Sequence, residues 1–301
     1  MALVLSVAGC CVLLTASAAV PSEPVLPPLF SGPLLYGPSW LPDGLTELER
    51  TESERTWRRA PAGPGSVLPS LSVRTRTARD AGDARASALE GQHHCWTFES
   101  GEPVEVLGRP GVYDAPTDPD GQGVCWRMDS RTLVVIRESN LGLSRADLMR
   151  IAESVRPDPG WTSFPLAVPF HVGLYGAHPS PIVTGSSPTK WTARVSWTPV
   201  ERSHPQHVGI SAGPGLPVPS GGQPLTVKGR PARFIQEADE NSKTAYLVVD
   251  LGGDRRLLIE AWTAFMYGKR PPSREDLVRI AGKCRLDPSP LPWIGARGLT
   301  R

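Results

Sequence analysis

The sequence predicts an α+β protein of two tandem copies, each an antiparallel β-sheet with one C-terminal packing helix. Three observations predict it. Residues 144–159 (SRADLMRIAESVRPDP) recur at 273–288 (SREDLVRIAGKCRLDP), with ten of sixteen positions identical at an offset of 129. Self-similarity at a fixed spacing marks repeated structural units. Each recurring block carries one amphipathic helical stripe. The 301 residues include 33 prolines and 30 glycines, which favour turns and strands over a helical bundle.

The chain opens with MALVLSVAGCCVLLTASAAV, residues 1–20, which hold no charged side chain. An apolar run of this length is a hydrophobic signal or transmembrane segment. Three readings stand. The first is a retained membrane span whose cytoplasmic part lies upstream. The second is a signal cleaved after Ala16-Ser17-Ala18. The third is lipidation at Cys10, since Val7-Ala8-Gly9-Cys10 resembles a bacterial lipobox. No Lys or Arg precedes the run, so none of the three has its usual basic flank. Residues 21–38 form a Pro-rich linker with six prolines, a composition that favours an extended, semi-rigid stalk.

The two copies occupy 39–160 and 161–301. The tripeptide Gly108-Arg109-Pro110 recurs as Gly229-Arg230-Pro231, now at an offset of 121. Copy two therefore carries about eight more residues between turn and helix, around Gly252-Gly253 and Tyr267-Gly268. A weaker match sets Gly44-Leu45 against Gly173-Leu174. Within each copy an alternating segment (104–107 in the first) ends at the Gly-Arg-Pro turn. A second strand follows at Val112-Tyr113 or Arg233-Phe234, then an acidic turn-rich stretch. Strands at 124–128 with 132–137, and at 244–250 with 256–262, come next.

The block ends in a helix. Ser144 with Asp147, and Ser273 with Asp276, fit an N-terminal cap followed by a first-turn carboxylate. Leu148, Ile151, Ala152 and Val155 make an i, i+3, i+4, i+7 stripe, repeated as Leu277, Ile280, Ala281 and Cys284. Arg-Pro-Asp-Pro or Arg-Leu-Asp-Pro then stops the helix. A helix of about 11 residues is marginal alone, so its stripe must pack on the sheet.

This order of strand, Gly-Arg-Pro turn, aromatic hairpin (Cys125-Trp126; Tyr246-Leu247) and Ser-x-x-Asp-Leu-x-Arg-Ile-Ala helix resembles a known family. It is the small extracytoplasmic domain of unknown function found on bacterial membrane proteins, including the outer parts of anti-sigma factors. Ile151-Ala152-Glu153-Ser154-Val155 matches the end of that family's helix, and copy two departs at Gly282-Lys283-Cys284. The resemblance covers about 60–70 residues of each copy. It implies a non-catalytic, sensory ectodomain and supplies no catalytic residue.

The candidate chemistry is sparse. Gly209-Ile210-Ser211-Ala212-Gly213 matches a nucleophile-elbow pattern, but the Pro214-Gly215 that follows forbids the helix an elbow requires. His93-His94-Cys95 and His204-Pro205-Gln206-His207 suggest metal ligands, without the ligand pairs of a structural zinc site. Asp114, Asp118 and Asp120 precede Gly121 like a calcium loop but lack the EF-hand spacing. They read as a solvated turn. Outside the cytoplasm Cys95 and Cys125 could form a disulfide across neighbouring strands of copy one. Cys284 replaces the stripe residue Val155 and reads as a buried thiol. Nine tryptophans fill the core or line an aromatic groove between the copies.

The formal net charge of +2 gives no nucleic-acid surface. No cofactor and no metal site is implied. The reading is a non-catalytic, membrane-associated extracytoplasmic protein, a sensory or binding ectodomain. Its partner would be an envelope protein or a lipid, with membrane attachment through residues 1–20. The alternative is a secreted or lipid-anchored carrier of an apolar molecule. The third is a hydrolase, which needs Ser211 or Cys95 beside a histidine.

Overall fold

Inward apolar residues alternating with outward polar ones build most of this chain into antiparallel strands. The structure is a computed structural model that describes residues 25–26, 31–33, 36–59, 69–77, 101–117, 121–129, 132–158, 161–169, 178–198, 206–238, 242–264 and 273–297. Three short strands come first: β1 (Val25–Leu26), β2 (Ser31–Pro33) and β3 (Tyr36–Pro38). The first half adds β4 (Thr46–Thr51), β5 (Glu54–Arg58), β6 (Ser70–Thr77), β7 (Glu102–Val106), β8 (Arg109–Thr117), β9 (Gly121–Arg127), β10 (Thr132–Ser139) and helix α1 (Arg145–Glu153). Short strands β11 (Val155–Pro157), β12 (Trp161–Ser163) and β13 (Leu166–Pro169) follow. The second half adds β14 (His178–Ser187), β15 (Lys190–Thr198), β16 (Gln206–Pro214), β17 (Gln223–Val227), β18 (Arg230–Ala238), β19 (Ser242–Gly252), β20 (Arg255–Ala264), helix α2 (Arg274–Ala281) and β21 (Arg285–Leu286).

The expectation of two separate α+β copies is overturned. Fourteen strands form one antiparallel sheet in the order β17-β18-β19-β20-β16-β15-β14-β4-β5-β6-β10-β9-β8-β7. From the centre outward both halves follow the same strand order. They are fused where β14 pairs with β4, with Ile182 opposite Thr51, Val183 opposite Arg50 and Thr184 opposite Glu49. An open edge invites another strand, and here each half's innermost strand satisfies the other. The helices, nine and eight residues long, are minor elements on a β architecture.

Each half closes its outermost hairpin with two left-handed residues. Leu107 and Gly108 have φ of 54° and 72°, and Lys228 and Gly229 have 48° and 77°. Positive φ at both central residues is the type I′ pattern whose twist matches paired strands. The Gly of each Gly-Arg-Pro therefore completes the turn, while Arg and Pro begin the next strand.

Both helices lay their stripes on one face of the sheet. Leu148, Ile151 and Ala152 of α1 join Trp57, Leu71, Val73, Val124, Trp126 and Ile136 in one core. Leu277 and Ala281 of α2 join Val195, Ile210, Leu247, Leu257 and Ile259 in the other. Each helix opens with a reciprocal cap. The Asp147 amide donates to Ser144 Oγ at 3.1 Å, and the Ser144 amide donates to Asp147 Oδ2 at 3.3 Å. The same two bonds at Ser273 and Asp276 are 3.2 and 3.1 Å.

The described parts of the Pro-rich stretch are paired, where composition alone suggests a free stalk. β3, β2 and β1 run antiparallel to β11, β12 and β13 in turn. β13 also pairs with β21, so the N-terminal segment, the connection between the halves and the chain after α2 meet in one small sheet.

Gly185, at a bulge in β14, sits against the C-terminal segment. A Cβ there would lie 2.7 Å from Ile294 Cδ1 and 2.8 Å from the Lys190 carbonyl oxygen. We expect Gly185→Val to destabilise the fold by about 2 kcal/mol through overpacking, read as a lower urea midpoint at unchanged slope.

Candidate functional site

Several of the residues singled out from sequence lie outside the described residues: 1–20 with Cys10, His93, His94, Cys95, Asp118, Asp120, Gly173, Leu174, His204, Tyr267 and Gly268. Cys125 is described. It is wholly buried and disulfide-bonded, on the sheet face opposite α1 beside Val135. Cys95, its expected partner, is among the residues not described. Ser211 lies inside β16 with Gly213 continuing the strand, so it occupies no elbow. His207 is half-buried, and burial together with Arg194 holds its imidazole below the usual range. Asp114 faces Arg137 across 4.0 Å. Among the described residues no cluster of three metal-ligating side chains occurs. No described helix is long and apolar enough to cross a membrane.

Two groupings emerge that sequence reasoning missed. The first is a buried ionic cluster at the joint of the halves. Glu47, Arg50, Arg55 and Asp158 are 0, 3, 1 and 6% exposed. Arg55 donates from Nε and Nη2 to the two carboxylate oxygens of Glu47 at 2.8 and 2.7 Å, and from Nη1 to Asp158. Arg50 grips the same carboxylate at 2.5 and 3.0 Å. Its guanidinium lies 4.3 Å from the Trp293 ring centroid. The backbone of Glu47 also bonds the C-terminal segment, donating to the Ala296 carbonyl at 2.9 Å and accepting from Gly295 at 2.7 Å. Of the two roles open to the tryptophans, core filling is the one seen at Trp57, Trp126, Trp191, Trp197 and Trp293, and the joint between the halves is a buried, charged cluster flanked by Trp57 and Trp293. Its sequence signal is Arg55 two residues before the inward Trp57, on the same face of β5.

The second grouping is a cleft of about 670 Å³ at one end of the second half. It opens between the β17–β18 turn, the β19–β20 hairpin and the C-terminal end of α2. Leu166, Val249, Leu257 and Leu286 form an apolar floor. Lys228, Arg230, Arg255, Lys283 and Arg285 form the rim, and no carboxylate lines it among the described residues. Arg255 Nε donates to the Gly252 carbonyl at 3.1 Å. Cys284 also lines the cleft, its Sγ 3.4 Å from the Ile280 carbonyl oxygen. Burial pushes its thiol up to about 12. The rim cations come from three segments far apart in sequence, and each alone reads as a solvated surface charge. Only the hairpins and the helix end bring them together.

No protein-family model matches the chain, and no curated protein matches it. Among solved structures it is similar to the crystal structure of MucB in complex with MucA(peri), at 9% identity over 86% of this chain and 94% of that one, with a TM-score of 0.24. The Pseudomonas aeruginosa MucA/MucB complex gives 10% identity over the same shares, with a TM-score of 0.25. Superpositions this loose carry no argument about fold or function.

Removing one partner from a buried ion cluster strands the others. We expect Arg55→Met to destabilise the fold by about 3–5 kcal/mol, measured by urea unfolding at pH 7. For Cys284, a thiol held near 12 rather than 9.0 carries about a thousandfold less thiolate. We expect iodoacetamide at pH 8 to leave Cys284 unmodified in the native chain and to label it in urea, read by peptide mass spectrometry.

Proposed function

We propose that this is a non-catalytic, extracytoplasmic binding protein whose ligand occupies the cleft at the end of α2. One observation carries the reading: an apolar floor and a cationic rim meet in a single concave site with no carboxylate among its described lining residues. Sites of about 300–1,000 Å³ that combine apolar walls with a few polar groups are the usual form of small-molecule pockets. The disulfide at Cys125 supports an oxidising compartment, where such bonds persist. The protonated Cys284 thiol supports binding over covalent chemistry, because the thiolate is the nucleophile. Residues 1–20 supply the route to the envelope, and an envelope component is the ligand.

The test is native mass spectrometry of the full chain purified from its own cells. Gly282, at the lip, has φ of −61°, and a Cβ there would sit 3.5 Å from Lys228 Cε. The nearest atom to that Cβ is the Val278 carbonyl oxygen at 3.3 Å, so a large side chain at 282 reaches the mouth at the cost of a shift of a few tenths of an ångström. We expect the wild-type chain to carry a stoichiometric small-molecule adduct, and Gly282→Phe to lose it at unchanged circular dichroism. A wild-type chain without an adduct, or a variant that keeps it, overturns the reading.

A further inference from the structure

We propose that the cleft takes a single-chain anionic amphiphile, with its anionic headgroup on Lys228, Arg230 and Arg285 and its hydrocarbon chain along the floor. This rests on the cleft being the ligand site.

The rim charges come from three unconnected places: the β17–β18 turn, the start of β20 and the chain after α2. A helix C-terminus attracts cations, which accounts for Lys283 and Arg285. It does not account for Lys228, Arg230 and Arg255, which belong to the sheet. Lys228 stands in a left-handed turn position, at φ 48°, where a non-glycine residue is held at a cost. That position aims a cation at the cleft mouth.

The first half provides an internal comparison. The turn position of Lys228 is held there by Leu107, also left-handed. By strand register, Arg255 corresponds to Thr132. By the helix repeat, Gly282 and Lys283 correspond to Glu153 and Ser154. Three cations of the second half are therefore neutral in the first, and a carboxylate of the first is a glycine in the second. Only Arg230 and Arg285 keep their counterparts, Arg109 and Arg156. The same scaffold forms its sheet and caps its helix without this charge, so folding does not require it.

Gathered cations repel one another and favour an anion among them. An inorganic anion would use the rim and leave the floor wet. Leu166, Val249, Leu257 and Leu286 reward hydrocarbon instead, since burying apolar surface is favourable. The two demands together specify one molecule with a charged end and an apolar chain.

The test titrates the full chain by calorimetry, below micelle-forming concentrations, with palmitoyl-lysophosphatidylglycerol. Palmitoyl-lysophosphatidylcholine carries the same chain under a zwitterion, and glycerol 3-phosphate carries the anion without a chain. We expect one-to-one binding of the first, at least about tenfold weaker binding of the second, and none of the third. The double variant Lys228→Glu/Arg230→Glu changes two exposed side chains. It should weaken the first ligand at least about tenfold without lowering the melting temperature. Equal affinity for the zwitterion, or competition by glycerol 3-phosphate alone, overturns the ligand class. So does failure of all three probes. If Gly282→Phe loses its native adduct in any of those cases, the cleft remains the ligand site and only its chemistry is wrong. If that variant keeps the adduct and no probe binds, both readings fall.

Discussion

The buried carboxylate of Glu47 is the point on which this architecture turns. Only three residue pairs join β14 to β4, a narrow seam for a sheet of fourteen strands. At that seam Glu47 is held by two guanidinium groups through its side chain and by the C-terminal segment through its backbone. Arg55 carries the link on to Asp158, just beyond β11 in the connection between the halves. Glu47 and Arg55 together thus tie β4, β5, the connection and the C-terminus. Buried ion clusters add little net stability compared with apolar packing, but they tolerate few alternative arrangements. Here the bidentate carboxylate fixes β4 against β5 with directional bonds, directly beside the β4–β14 seam.

The same position shows how the halves have parted. In the first half the Asp-Pro after the helix is buried against Arg55. By strand register the counterpart of Arg55 is Val195. The second half's Asp-Pro residue, Asp287, is correspondingly exposed and bonds the Ser289 amide at 3.0 Å. Hydrogen bonding from the Ser289 side chain, and then from its amide, holds the carboxyl below the ordinary range. Where the cation was absent, the carboxylate stayed in water.

Local features were legible because local chemistry dictates them. The helix caps, the buried stripe positions Leu148 and Leu277, and the β9–β10 and β19–β20 hairpins all follow from residues within one or two turns of each other. The single sheet was not legible, because β4 and β14 pair across about 130 residues and nothing local marks which edge meets which. The ionic cluster hid for a related reason. Arg50 and Arg55 read as surface charges until their strands are placed side by side. The cleft was the least legible, since its rim is assembled from three distant segments whose residues are individually unremarkable. The copy-to-copy alignment drifted at the front for the same reason. Register sets Trp57 against Trp197, an offset of 140, where sequence matching suggested 129.

The paired N-terminal segment has a mechanical consequence. β1, β2 and β3 lie antiparallel along the connection between the halves, with β1 the farthest out along the chain. A load applied through the N-terminus meets these short ladders one at a time, β1–β13 first, so they open like a zipper and not as one sheared block. Releasing residues 25–38 would lengthen the leash by up to about 45 Å at the extended-chain rise. The fourteen-stranded sheet would stay intact behind it. The free length of chain ahead of the sheet would then be set by how many of these short ladders stay paired.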